Sequence, residues 1–170
     1  MTKQDMSLPS NEFLLSVIND RYKRNFTFKQ LYFGEREDTS KYNCDSLLPM
    51  HALPGGTFTG TVRAYYNRVP IDSFLEGKFL VVDWKEYFDT DDLIMQVLIQ
   101  FGINLDRSDV VSDIIDEEAI ETKIRISSRS LVYSGHVPVY FRGHPDSLDG
   151  RIKNRLLGGF DKDHIKQTEV

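Results

Sequence analysis

Leu14-Leu15-Ser16-Val17-Ile18-Asn19-Asp20-Arg21-Tyr22-Lys23-Arg24-Asn25-Phe26 decides the architecture, because its pattern returns as Leu93-Ile94-Met95-Gln96-Val97-Leu98-Ile99-Gln100-Phe101-Gly102-Ile103-Asn104-Leu105. In each stretch the apolar side chains fall on one face at helical spacing, and an Asn-apolar pair follows three residues after an aromatic. The offset is constant (93 − 14 = 79), and it carries Leu31 onto Val110. Further along, Thr59-Gly60-Thr61-Val62-Arg63-Ala64-Tyr65-Tyr66 lies over Ser134-Gly135-His136-Val137-Pro138-Val139-Tyr140-Phe141 at a second offset (135 − 60 = 75). A net four-residue loop deletion reconciles the two. The reading is a tandem duplication; the competing explanation is coincidence between two amphipathic patterns, a common occurrence for apolar spacing alone.

Working outward, Ser10 stands where an N-cap belongs, with Pro9 just outside a helix over 11–22 whose buried face is Leu14, Leu15, Ile18 and Tyr22. Phe26-Thr27-Phe28 and Leu31-Tyr32-Phe33 read as strands ending at Gly34, and Glu35-Arg36-Glu37-Asp38 as a solvated loop. The apolar stretch 47–53 and a Pro54-Gly55-Gly56 turn precede an alternating strand over 57–66. The second helix spans 91–101, capped by Asp89 or Thr90, with Leu93, Ile94, Val97, Leu98 and Phe101 as its apolar stripe. The expected fold class is therefore α+β: two tandem diverged repeats, each an amphipathic helix plus antiparallel strands, with a C-terminal extension. Residues 1–9 form an N-terminal extension, 10–68 repeat 1, 69–89 an inter-repeat linker and strand, 90–142 repeat 2, and 143–170 a C-terminal arm. The linker, Val69 to Gly77 followed by Phe79-Leu80-Val81-Val82-Asp83-Trp84, is too apolar to be floppy. Units of this size bury too little alone, so the two copies are expected to pack together.

Composition limits the function. Twenty-six acidic residues against 21 Lys and Arg leave a formal net charge of −5, which argues against a surface built for phosphates. The basic cluster Arg21-Tyr22-Lys23-Arg24 is explained by the negative end of a helix dipole. The lone Cys44 can form neither an internal disulfide nor a cysteine metal site, and its neighbour Asp45 is an acid rather than the basic partner a catalytic thiol requires. No apolar stretch is long enough to span a bilayer, and residues 1–10 carry no signal-peptide core.

Enzyme chemistry finds no foothold. Phosphate loops, dinucleotide fingerprints, nucleophile elbows and zinc-protease motifs are absent from the sequence. His51, His136, His144 and His164 lie far apart, and His136 reads as a solvent-facing strand position. Asp89, Asp91 and Asp92 read as helix capping, and the run from Asp113 to Glu118 as a solvated loop lacking the spacing of a calcium site. Ser127-Ser128-Arg129-Ser130 reads as a polar turn. No catalytic residue, cofactor, metal or small-molecule substrate is expected.

The segments Leu14-Leu15-Ser16-Val17-Ile18-Asn19, Phe26-Thr27-Phe28-Lys29-Gln30-Leu31-Tyr32-Phe33-Gly34 and Phe58-Thr59-Gly60-Thr61-Val62-Arg63-Ala64-Tyr65-Tyr66-Asn67-Arg68 together resemble a repeat of virion structural proteins of large tailed bacteriophages, whose function is uncharacterised. That repeat has a Leu-Leu-x-x-Ile-Asn helix and a Gly-x-Val-x-Val-x-Tyr-Asn-Arg strand. The resemblance covers residues 10 to 142; in the second copy Phe141-Arg142 replaces Tyr-Asn-Arg. It implies a structural subunit of a virion, assembled in the host cytoplasm. The tail, baseplate or neck is favoured over the head surface. Its partners would be other virion proteins and copies of itself, with no nucleic acid and no membrane. The alternative is a soluble non-enzymatic binding module that recognises a phage or host partner through a strand edge or the arm. Within the arm, Leu156, Leu157 and Phe160 are the expected partner-binding residues, the other outcome being a short helix folded back on the same chain.

Overall fold

The structure is a computed structural model that describes residues 5–84 and 89–146. Leu156, Leu157, Phe160 and His164 lie outside the described residues.

Helix α1 (Ser10–Tyr22) buries Phe13, Leu14, Leu15 and Ile18. It stops at Lys23, which takes a left-handed conformation and donates its amide to the Asn19 carbonyl. Two expectations change here. Ser10 is the first helical residue rather than the cap, and its buried hydroxyl donates to Asp109 instead. Tyr22 is 61% exposed, because the last turn overhangs an open cavity where no described residue covers the ring. Phe26–Phe28 is likewise no strand. The Gln30 side chain accepts from the Thr27 amide at 3.1 Å while the Gln30 amide donates to the Thr27 carbonyl at 2.9 Å, and this local pairing draws the backbone into a turn.

Strand β1 (Leu31–Phe33) and strand β2 (Glu37–Asp38) share one edge of strand β3 (Ser46–Ala52), and strand β4 (Thr61–Tyr66) takes its other edge, all antiparallel. The charged run expected as a loop thus supplies β2. The reason is Arg36, whose side chain is nearly buried and donates to Asp38, to the Ser46 hydroxyl and to the Ser128 carbonyl. Pro49 sits mid-strand, a rare place for a residue without an amide. It fits because its carbonyl, which accepts from Gly34, and hence its missing N–H face the gap between β1 and β2.

Strand β5 (Val69–Pro70), helix α2 (Ile71–Leu75) and strand β6 (Leu80–Asp83) follow, so the expected linker carries regular structure. A 3-10 turn over Thr90–Leu93 leads into helix α3 (Ile94–Phe101), with the Asp89 carboxylate accepting from the Asp91 amide at 2.9 Å as the capping expectation required. Gly102 closes α3 in the left-handed conformation. Strand β7 (Glu121–Arg125) pairs antiparallel with strand β9 (His136–Arg142), and β6 adds parallel to the other edge of β9. Strand β8 (Tyr133–Ser134) pairs in parallel with β5. The linker therefore runs beside 133–142 from end to end.

One core joins both parts of the chain. Leu14, Ile18 and Leu48 pack with Ile71, Leu75 and Leu80 from the linker and with Val97, Ile124, Tyr133, Val137 and Val139 beyond it. Among the described residues no helix is long and apolar enough to cross a membrane.

Candidate docking groove

An apolar concavity opens on the described surface. It is about 330 Å3, open to solvent, and lies between the end of α1 and the face of β3 and β4. Ile18 and Leu31 form its floor, Met50 and Val62 its sheet wall, and Phe26 and Phe58 an aromatic wall, the two rings edge-to-face at 5.4 Å. Arg24 and Arg63 also line it, bringing two cations to a largely apolar surface that includes Gln30 and Thr59. At its mouth His51 stacks on Tyr32 at 4.9 Å and shares a 2.9 Å hydrogen bond with the Thr61 hydroxyl.

The walls are bare because of how the sheet is built. Among the described residues β4 pairs only with β3, so its outer edge is unpaired, and Val62 is 63% and Phe58 45% exposed. Strand β9 differs: β6 lies along its outer edge and α2 packs on it. There Val137 and Tyr133 are fully buried. The contrast extends to two glycines that precede these strands. A Cβ on Gly135 would lie 2.5 Å from an Asp72 carboxylate oxygen of α2, whereas a Cβ on Gly60 would meet nothing within 4 Å. Both glycines have positive φ, 88° and 94°.

A second polar centre, invisible to motif reading, sits around Asp109. Its buried carboxylate accepts from the hydroxyls of Ser10 and Ser130, each at 2.6 Å, and from the Asp106 amide at 3.1 Å. It ties the start of α1 to the turn before β8. Burial, reinforced by the charge of Asp109, pushes the Tyr133 phenol well above its ordinary pKa, and burial with the charges of Asp109 and Glu12 raises the Asp106 carboxyl. These are the groups of a structural joint between α1 and the turn before β8.

The sequence-level candidates stay dispersed. Cys44 is half-buried with its thiol against the Tyr42 carbonyl. His51 is on the groove's mouth, half-buried His136 on β9, and buried His144 is held by the Glu117 carbonyl and packed edge-on against Trp84. Asp113 forms an ion pair with Arg125, whose guanidinium holds its carboxyl below the usual range. Ser127–Ser130 is the expected polar turn, with Ser130 turned inward to Asp109. Among the described residues no group of three His, Cys, Asp or Glu side chains is placed to hold a metal ion.

What the described residues define is an α+β protein with an apolar groove beside a strand edge that no described strand pairs with. The chain belongs to a family of unknown function, DUF7941, which matches it over residues 3–169 and thus through the C-terminal segment as well. No curated protein and no solved structure matches it.

Proposed function

We propose that the protein is a non-enzymatic structural subunit of a tailed-phage virion, in the tail, baseplate or neck or else on the head surface, and that it is built from two diverged copies, residues 10–68 and 90–142, of one unit. The phage assignment rests on the helix and strand segments 14–34 and 58–68. The assembly reading rests on one observation: the bare edge of β4 beside an apolar cavity. Exposed apolar surface joined to a free strand edge is what a subunit presents to a neighbour.

Support for the duplication comes from backbone details. Lys23 and Gly102, 79 apart, are both left-handed caps whose amides return to residues 19 and 98. The Thr27–Gln30 turn has its counterpart in Asp106–Asp109, where the Asp109 side chain accepts from the Asp106 amide as Gln30 does from Thr27. Leu53 donates to the Gln30 carbonyl at 2.8 Å and Ser127 to that of Asp109 at 2.7 Å. Ala52 donates to the Gly60 carbonyl and Ile126 to that of Gly135, both at 3.0 Å. Leu31 pairs with Ala52, and Val110 with Ile126.

Quantitative mass spectrometry of washed particles tests the virion reading. A subunit is present at a fixed copy number set by ring or shell symmetry, whereas absence from particles overturns the proposal. The cavity also suits a short apolar segment of a phage or host partner, the binding-module alternative, in which the protein is substoichiometric or lost on washing.

A further inference from the structure

The strand that covers β9 comes from the chain just beyond β4, and the same sequence logic recurs just beyond β9. Pro70-Ile71-Asp72-Ser73-Phe74-Leu75-Glu76-Gly77-Lys78-Phe79 leads into β6. Pro145-Asp146-Ser147-Leu148-Asp149-Gly150-Arg151-Ile152 repeats it with two single-residue deletions, keeping proline, Asp-Ser, leucine, acid, glycine, base and apolar residue in order. In the first case Ile71, Leu75 and Leu80 are fully or almost fully buried against the second unit, and Asp72 lies over Gly135. The surface that would receive the second case is the groove. Its lining residues Met50, Phe58 and Val62, half-buried or exposed, stand where Ile124, Tyr133 and Val137 are fully buried in one cluster with Ile71, Leu75 and Leu80 of the linker, while Ile18 and Leu31 beneath them are buried like their counterparts Val97 and Val110.

We propose that residues 145–157 of one copy add to the open edge of β4 in a second copy and fill its groove, so that chains join head to tail. Leu148 takes the place of Leu75, and Asp146 lies over Gly60 as Asp72 lies over Gly135. Asp149 brings a carboxylate toward the cations Arg24 and Arg63. Strand addition supplies main-chain hydrogen bonds, and the pocket supplies side-chain selectivity. The occupant comes from another copy because the described contacts between units run one way. Ser10 reaches Asp109, the Tyr66 hydroxyl donates to the Leu131 carbonyl and Val69 pairs with Tyr133, with no reciprocal set from the second unit back to the first among the described residues. Contacts of that kind are heterologous, and repeating the operation leads to a further unit rather than back to the first. His144, anchored at Glu117 and Trp84, marks the departure point, much as Asn67 and Arg68 are fixed to Asp45 before the linker crosses over.

The inference rests on the two-unit reading above, and the test separates them. Two full-length chains, both carrying Cys44→Ser, receive Val62→Cys and Leu148→Cys respectively and are mixed under mild oxidation. The expected product is a disulfide-linked dimer containing one of each, reduced about tenfold or more when Arg63→Glu is added to the Val62→Cys chain, since that substitution sets like charges against Asp149. No mixed dimer at any concentration overturns the inference, as does closure of a doubly substituted single chain on itself at high dilution. In parallel, a labelled peptide of residues 69–83 is added to the dilute wild-type chain. Binding that Val62→Lys abolishes, with the cross-link absent, sinks the head-to-tail inference and leaves the two-unit reading standing. Failure of both sinks both.

Discussion

Alanine at Gly135 and alanine at Gly60 place the same methyl group on nearly the same backbone, φ 88° and 94°, in two opposite surroundings. A non-glycine residue in this region costs roughly 1–3 kcal/mol of strain, and that part is common to both variants. At Gly60 no described residue stands within 4 Å of the new carbon, so the strain is the effect expected there. At Gly135 the carbon meets Asp72 Oδ1 at 2.5 Å and Cγ at 3.0 Å, so the Asp72 carboxylate has to leave its place over the glycine, either by turning its side chain aside or by a shift of α2. Forcing a methyl into a filled contact costs a further ~1–3 kcal/mol. Gly135→Ala is therefore less stable than Gly60→Ala by up to about that amount, the cost of displacing Asp72, which at the size of this chain is roughly 2–4 °C of melting temperature per kcal/mol. Urea unfolding in dilute solution measures the difference directly, with unchanged slopes showing that both variants unfold from the same compact state. Equal midpoints would refute the account, because they would mean that the linker is not held against β9 by this contact.

Lys23 occupies a left-handed cap without being glycine, so Lys23→Gly is expected to stabilise by about 0.5–1 kcal/mol, read as a raised thermal midpoint. Asp109→Ala strips the partner from two buried serine hydroxyls and the Asp106 amide and is expected to cost ~2–4 kcal/mol in chemical denaturation; a loss below about 0.5 kcal/mol would remove the joint from the fold's essential contacts. Burial pushes the Tyr66 phenol up to about 12, against partial opposition from Arg36 and Arg68. A phenol whose folded pKa is raised contributes stability that is complete below about 10, its unfolded value, and that is lost as pH climbs through the folded one. Stability is thus expected to fall between those two pH values, and Tyr66→Phe to flatten part of that fall at the cost of about 1 kcal/mol from the lost bond to the Leu131 carbonyl.

Helices α1 and α3 were legible because the 3.6-residue spacing of Leu14, Leu15 and Ile18 and of Leu93 and Val97 reports burial on one side, and the cap at Asp89 because carboxylates satisfy the free amides of a helix start; the short α2, read as linker, was not. Strand β2 was not legible. Glu37 and Asp38 have poor strand propensity, and what recruits them is Arg36, held by a carbonyl 92 residues away. Asp109 escaped for the same reason, since the serine that helps make it a joint lies 99 residues upstream. The groove could not be read at all from local pattern: the alternation of β4 and of β9 is alike, and only the presence of β6 beside one of them decides which is sealed.

That difference also limits how tightly the proposed joint can hold. The linker covers β9 as part of the same chain, tied at Arg68 and again by strand pairing at β6, so the cost of bringing it to the sheet is small. A segment arriving from another copy loses translational freedom as well as its own conformational entropy on docking, and offers in return one strand edge and a pocket of about 330 Å3. A single joint of this kind is weak and reversible. It becomes persistent only where a template or a closed ring presents several joints at once, because each later contact then forms at high effective concentration. Head-to-tail chains of this protein are therefore expected to be short-lived in dilute solution and stable where a particle supplies the scaffold, which confines the open β4 edge to self-association in the place where it is useful.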